Sequence, residues 1–200
     1  MRMAMCVIML VLGGCVTIPD GLQPVQGFEL TRYLGHWYEI ARLDHSFERG
    51  LTHVTADYSL REDGRVHVIN RGYRPEKDHW ETTEGVAVFV GPPDVGRLKV
   101  SFFGPFYGAY NIIVLDESHY DYALVCGPNR SYLWILAREP RLDPAVFEDL
   151  VARARALGFP VEELIRVDQE PADRTQAVRW RPGGTALPKV DPSYFHTGWS

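Results

Sequence analysis

Three cysteines, no histidine cluster at metal-ligand spacing and no Gly-x-Ser-x-Gly elbow leave this 200-residue chain poor in the residues that do chemistry. Its seven histidines are scattered, and Cys126, the thiol farthest from the N-terminus, has no base beside it in the sequence, so an enzyme is not expected and no metal or cofactor is called for. A basic patch is missing as well. With a formal net charge of -5 and a pI near 5.8, nucleic acid is excluded as the expected partner. Long apolar runs are absent too, since the stretch from Met3 to Leu12 is too short to span a bilayer as a helix. Aromatic residues are plentiful: 9 Phe, 5 Trp and 10 Tyr suffice to line the core or cavity of one globular domain.

The N-terminus reads as a processing signal. Arg2 precedes the apolar run, and Leu12-Gly13-Gly14-Cys15 follows it, which resembles a bacterial lipobox. That resemblance implies cleavage after residue 14 and acylation of Cys15, and Val16 rather than Asp in the next position implies delivery to the outer membrane. An acyl chain anchors a protein without placing its fold in the bilayer. Cys6 then leaves with the signal and Cys15 is used by lipid, so Cys126 has no disulfide partner and reads as a small buried hydrophobe.

Residues 15–27, with Pro19 and Pro24, are expected to be a lipidated tether, and 28–169 to be the domain. A short helical turn over 28–34 leads to Gly35. Eight strands are then expected, at about 37–44, 51–60, 65–74, 80–91, 97–103, 108–116, 120–127 and 131–138. Alternation supports them: Val54, Ala56 and Tyr58 share one face while Thr55, Asp57 and Ser59 share the other. Strands this regular, joined by short turns, predict an all-β fold, an eight-stranded antiparallel up-and-down barrel. Asp143 as cap, Pro144 and apolar residues at three-to-four spacing predict one helix ending at Gly158, packed outside the barrel. Ile165 lies in a candidate ninth strand, and 170–200, rich in Pro and Gly, is expected to be a tail without regular structure.

Gly35-x-Trp37-Tyr38 at the first strand, Asp121-Tyr122 at the seventh and Arg138 closing the eighth resemble the three short motifs of the lipocalins. The runs Trp37 to Arg42, Phe47 to Leu51, Lys99 to Gly108 and Ala123 to Pro128 are similar to the bacterial outer-membrane lipoprotein branch, related to apolipoprotein D and the plant temperature-induced lipocalins. The resemblance implies a calyx open at one end that holds a fatty acid, lysophospholipid or phospholipid, for lipid storage or transport in the envelope.

Hairpin parity orients such a calyx. Gly35, Trp37 and Arg138 fall at the closed end, as structure, with the guanidinium over the indole. The opposite rim holds Arg49 and Arg74, candidates to meet a headgroup, and the apolar loop with Phe106 and Tyr107. Taking dry faces inward places Tyr58, Asn70, Phe89, Phe102, Tyr110 and Trp134 in the interior, an apolar lining with a few polar tips, and the resemblance to the lipocalins implies that these are the candidate ligand-binding residues. The expected partners are a lipophilic small molecule, the membrane through the acyl anchor and, as a candidate, a second copy of the chain. The expected location is the outer membrane, facing the periplasm. The rival reading is a structural envelope lipoprotein whose barrel is filled. A transmembrane barrel fits the alternation less well, given the acyl anchor and the helix after the eighth strand.

Overall fold

The computed structural model describes residues 16–170; the signal segment, Cys15 and 171–200 lie outside the described residues. Eight strands follow one another: β1 (Gly35–Arg42), β2 (Thr52–Leu60), β3 (Val66–Arg74), β4 (His79–Phe89), β5 (Arg97–Phe103), β6 (Phe106–Leu115), β7 (Tyr122–Cys126) and β8 (Leu133–Ala137). Each pairs antiparallel with the next, and β1 pairs with both β2 and β8, which closes the barrel. The turns are those that the sequence marks. In the β2–β3 hairpin Arg61 N donates to Arg65 O at 2.8 Å, and Gly64 takes the positive φ of 78° that a side chain would strain.

Closure is incomplete along β1 itself. The β1–β2 ladder ends at the pair Tyr38 and Thr55, beyond which the strands part. The C-terminal segment fills the gap: β9 (Ile165–Arg166) pairs with Ala41 and Arg42, and Gln169 Nε2 donates to Glu39 O at 2.8 Å and Val54 O at 2.9 Å. These bonds satisfy carbonyls that would otherwise form an open edge.

Two cores result. Inside the barrel Phe28, Trp37, Val66, Val68, Leu98 and Ile112 pack together. Outside, helix α2 (Pro144–Ala156, the one after the short α1, Leu30–Tyr33) is capped by Asp143, whose Oδ1 accepts from Ala145 N at 2.7 Å. Its buried stripe of Phe147, Leu150 and Ala154 lies on Ile40, Leu43, Leu124 and Ile135 of the wall. The rest of the outer wall carries charge, including Asp57, Arg71 and Glu84, as suits a barrel bathed in water rather than hydrocarbon. Among the described residues no helix is long and apolar enough to cross a membrane.

Residues 16–27, expected to be a tether, are bound to the barrel instead. Val25 N donates to Ile112 O at 2.9 Å and Gly96 N to Val25 O at 2.9 Å, while Leu22 is buried in the outer core. Pro19 and Pro24 break periodicity without freeing the chain, because backbone bonds to the wall replace regular structure.

Candidate ligand-binding calyx

The closed end is built around Trp37, which is fully buried and donates from Nε1 to Tyr33 O at 2.8 Å. Arg138 lies with Cζ 3.9 Å from the indole centroid. Its guanidinium ties the end of β8 to the start of the fold, donating to His36 O at 2.8 Å, Arg32 O at 2.7 Å, Leu34 O at 3.0 Å and Tyr120 O at 3.2 Å. Gly35, at φ 95°, sits beneath it; a Cβ there would stand 3.5 Å from Arg138 Nη1.

Above this floor three tyrosines meet. Tyr110 Oη is 2.7 Å from Tyr33 Oη and 2.9 Å from Tyr58 Oη, and burial holds all three hydroxyls above the ordinary phenol range. Around them the barrel is nearly full. The void beside Leu30, Tyr33, Tyr58, Leu98 and Tyr110 measures about 10 Å³, room for a water and no more. Tyr58 and Tyr110, expected to touch ligand, thus form the packed lower layer. Phe89 is at the closed end too, edge-on to Phe28 with centroids 6.1 Å apart, away from the open half.

The upper half differs. Asn70 shares the inner face of Val66 and Val68, and its buried Oδ1 has no partner. Thr83, opposite Asn70 on the same inner face, is exposed, and Phe102 and Trp134 are half-buried. Inward-facing side chains that keep contact with solvent mark a hollow open at the mouth. Phe102 turns over Gly85, where a Cβ would come within 2.7 Å of its ring and of Ser101 O, so glycine makes room for the aromatic.

One wall of this hollow holds a charged network that alternation does not reveal. The β1 bulge between Glu39 and Ala41 puts Glu39 and Arg42 on the same inner face, paired at 2.6 Å and almost fully buried. Arg42 also donates to Glu48 O at 2.8 Å and Leu51 O at 3.1 Å. Glu48 Oε2 accepts from Trp134 Nε1 at 3.0 Å and lies 2.9 Å from His45 Nε2. Burial and the nearby Glu48 charge push Glu39 well above the usual carboxylate range. Burial acts on Glu48 in the same direction, but His45, Trp134 and Arg42 together hold it below that range. The two carboxyls are thus shifted in opposite directions.

The two rim arginines are already engaged. Arg49 Nε donates to Asp44 at 2.8 Å, and Arg74 is held by both oxygens of Glu81 and donates to Arg49 O at 2.9 Å. Phe106 stands 74% exposed, whereas the half-buried Tyr107 ring takes Lys99 Nζ at 4.6 Å. Cys126 is fully buried, which pushes its thiol up to about 12. Two other features lie outside the calyx. A depression of about 540 Å³ on the outer wall is bordered by Tyr38, Thr55, Arg71, Trp80 and Gln169. Asp116, His119 and Asp121 cluster at the closed end, where the Asp116 carboxylate accepts from Ser118 N at 3.2 Å, His119 N at 3.2 Å and Asp121 N at 3.3 Å, the work of a turn cap.

Tyr33, Glu39, Arg42, His45 and Glu48 are the residues that reading the sequence did not assign to the interior. For Glu39 and Arg42 the signal was charge within the first strand; Tyr33, His45 and Glu48 lie outside that strand and carried none.

Eight antiparallel strands closed on themselves, plugged at one end, open at the other and flanked by one helix define a single-chain calyx barrel. Lipocalin-like domains match residues 28–169. The outer membrane lipoprotein Blc of Vibrio cholerae serotype O1 is 50% identical over 159 residues, which cover 80% of this chain and 93% of that one. Blc of Escherichia coli K12 is 55% identical over 153 residues, 76% of this chain and 86% of its own. Insecticyanin of the tobacco hornworm, at 20% identity, superposes with a TM-score of 0.61 over 76% of this chain and 86% of its own, a likeness of fold. The chain belongs to the lipocalin family.

Proposed function

We propose that the protein is an outer-membrane lipoprotein, acylated at Cys15 and facing the periplasm, that carries a fatty acid or lysophospholipid in the upper half of its calyx. The observation that carries this reading is the contrast between the two halves: a packed tyrosine layer below, and above it inward-facing side chains open to solvent around an unpartnered Asn70 Oδ1. Phe102 and Trp134 offer apolar surface to an acyl chain, worth roughly 25 cal/mol for each Å² buried. Asn70 can accept one hydrogen bond from a ligand hydroxyl or ammonium. The outer membrane lipoproteins to which the chain is similar support the location.

From Asn70 to Arg74 the strand rises by about 13 Å at ~3.3 Å per residue, so a long acyl chain would fill the hollow and reach the mouth. With Arg49 and Arg74 already paired, a headgroup at the rim would be solvated more than clamped. The filled-barrel reading draws on the void of about 10 Å³ in the lower half. Mass spectrometry of a solvent extract from protein purified without detergent separates the two. A stoichiometric fatty acid or lysophospholipid supports the carrier, and an extract no richer in lipid than a buffer control refutes it.

A further inference from the structure

The outer face of β1 to β4 carries a row of four side chains set side by side by the register: Tyr38 opposite Thr55, Thr55 opposite Arg71, and Arg71 opposite Thr82. At ~4.8 Å between strands the row is about 14 Å long. It floors the depression of about 540 Å³, a volume within the range of small-molecule sites. The outside of a barrel is convex, so a hollow there has a local cause. β1 and β2 part beyond Tyr38 and Thr55, and the segment that crosses the gap puts Gln169 on the border of the hollow. On the side toward the mouth, His53 at φ 52° sets its ring edge-on to Tyr73 and Trp80, with centroids 6.0 and 6.1 Å away, and Trp80 packs on Tyr73 at 5.5 Å. The result is an aromatic border whose indole stands 52% exposed.

The groups around this indole are polar and free to bond. Gln169 Nε2 donates to both Glu39 O and Val54 O, which leaves Oε1 as an acceptor. Beside it are the hydroxyls of Tyr38, Thr55 and Thr82. Arg71 is exposed and joins no ion pair among the described residues. The carboxylates diagonal to it, Asp57 and Glu84, are engaged by His36 at 2.8 Å and His67 at 3.1 Å. An exposed ring face with hydroxyl and amide groups at its edge suits the C–H face and the hydroxyls of a pyranose, and a guanidinium without a carboxylate suits an anion on that sugar. An apolar ligand would leave the row's polar groups unpaired, and a bare anion would make no use of the indole.

We propose that this depression is a second binding site, separate from the calyx, for an anionic sugar. The sugar ring lies against Trp80, its hydroxyls pair with Thr55, Thr82 and Gln169, and its carboxylate or phosphate pairs with Arg71. Asn70 and Thr83 face inward while Arg71 and Thr82 face outward, so β3 and β4 serve one site on each side of the wall. The outer site does not depend on the calyx carrying lipid.

The test uses the full-length protein with fluorotryptophan at its five tryptophan positions, followed by fluorine NMR. Trp80→Phe assigns the resonance of the outer site and Trp134→Phe that of the calyx. The probes are glucuronate and glucose 6-phosphate, with glucose and inorganic phosphate for comparison. The expected result is a saturable shift of the Trp80 resonance with glucuronate or glucose 6-phosphate and none at Trp134. The stronger of the two tells whether the sugar carries a carboxylate or a phosphate, and either supports the proposal. Glucose should bind about fivefold more weakly, the share of one exposed ion pair, and Arg71→Gln should remove that preference. No saturable shift with any of the sugars, an equal shift with inorganic phosphate alone, or undiminished glucuronate affinity in Arg71→Gln would overturn the proposal. A Trp80 resonance already shielded from a water-soluble paramagnetic agent before sugar is added would overturn it in favour of protein covering the depression. Palmitate binding is read at Trp134 in the same samples, so failure of the carrier reading is told apart from failure of this one.

Discussion

Replacing Arg138 by Ala tests whether the closed end is architecture. The guanidinium makes four bonds to carbonyls, of which those to His36 and Arg32 are exposed and can be taken over by water at little cost. The bonds to Leu34 O and Tyr120 O are partly buried and contribute about 1 kcal/mol each. Stacking over Trp37 at 3.9 Å adds roughly 1 kcal/mol for a half-buried cation. The sum, about 3 kcal/mol, corresponds to a fall in Tm of roughly 6 to 12 °C for a domain of this size. Urea unfolding followed by both circular dichroism and Trp fluorescence measures it, and Arg138→Lys, which keeps the charge but not the fork of donors, should fall in between. Lysophospholipid affinity of the folded variant should stay within a factor of two or so, since Arg138 lies beneath the tyrosine layer. A loss below about 0.5 kcal/mol, or lost affinity without lost stability, would refute this assignment.

The buried carboxyls should respond to pH in opposite senses. Glu48 is held below the ordinary carboxylate range, so its contribution is present above the unfolded value and is lost as pH falls through the depressed one; Glu48→Gln should flatten the acid limb of the stability profile. Glu39 is raised, so its contribution is lost as pH rises, and Glu39→Gln should be nearly neutral in acid and stabilising in alkali, as equilibrium unfolding across pH will show. Tyr110→Phe removes the hydroxyl that joins Tyr33 to Tyr58 and should cost about 1 to 3 kcal/mol in urea, more than Tyr33→Phe, which leaves one of the two bonds in place.

Much of this fold is written in short-range pattern. Alternation such as Val54, Ala56, Tyr58 and the turn Glu62-Asp63-Gly64 mark strands and hairpins, and hairpin parity sets Trp37 and Arg138 at one end and Phe106 at the other. Height within the barrel is not in that pattern. Parity says that Phe89 points inward but not that Phe28 meets it at the floor, or that Tyr33 reaches Tyr110 from α1. The bulge after Glu39 breaks the period of two just where the charged network begins, so Arg42 could not be read as an interior residue. The segment 16–27 was legible as irregular but not as docked, because its hold on Gly96 and Ile112 runs through the backbone.

The most direct measurement is a titration of the delipidated protein with lysophosphatidylethanolamine or palmitate, followed by intrinsic Trp fluorescence, in the parent and in Trp134→Ala and Trp37→Ala. The account predicts a saturable change in the parent that is weakened in Trp134→Ala with the fold intact, and a loss of stability in Trp37→Ala. No saturable change in the parent, or equal loss of affinity and stability in both variants, would contradict a calyx whose function sits in its open half.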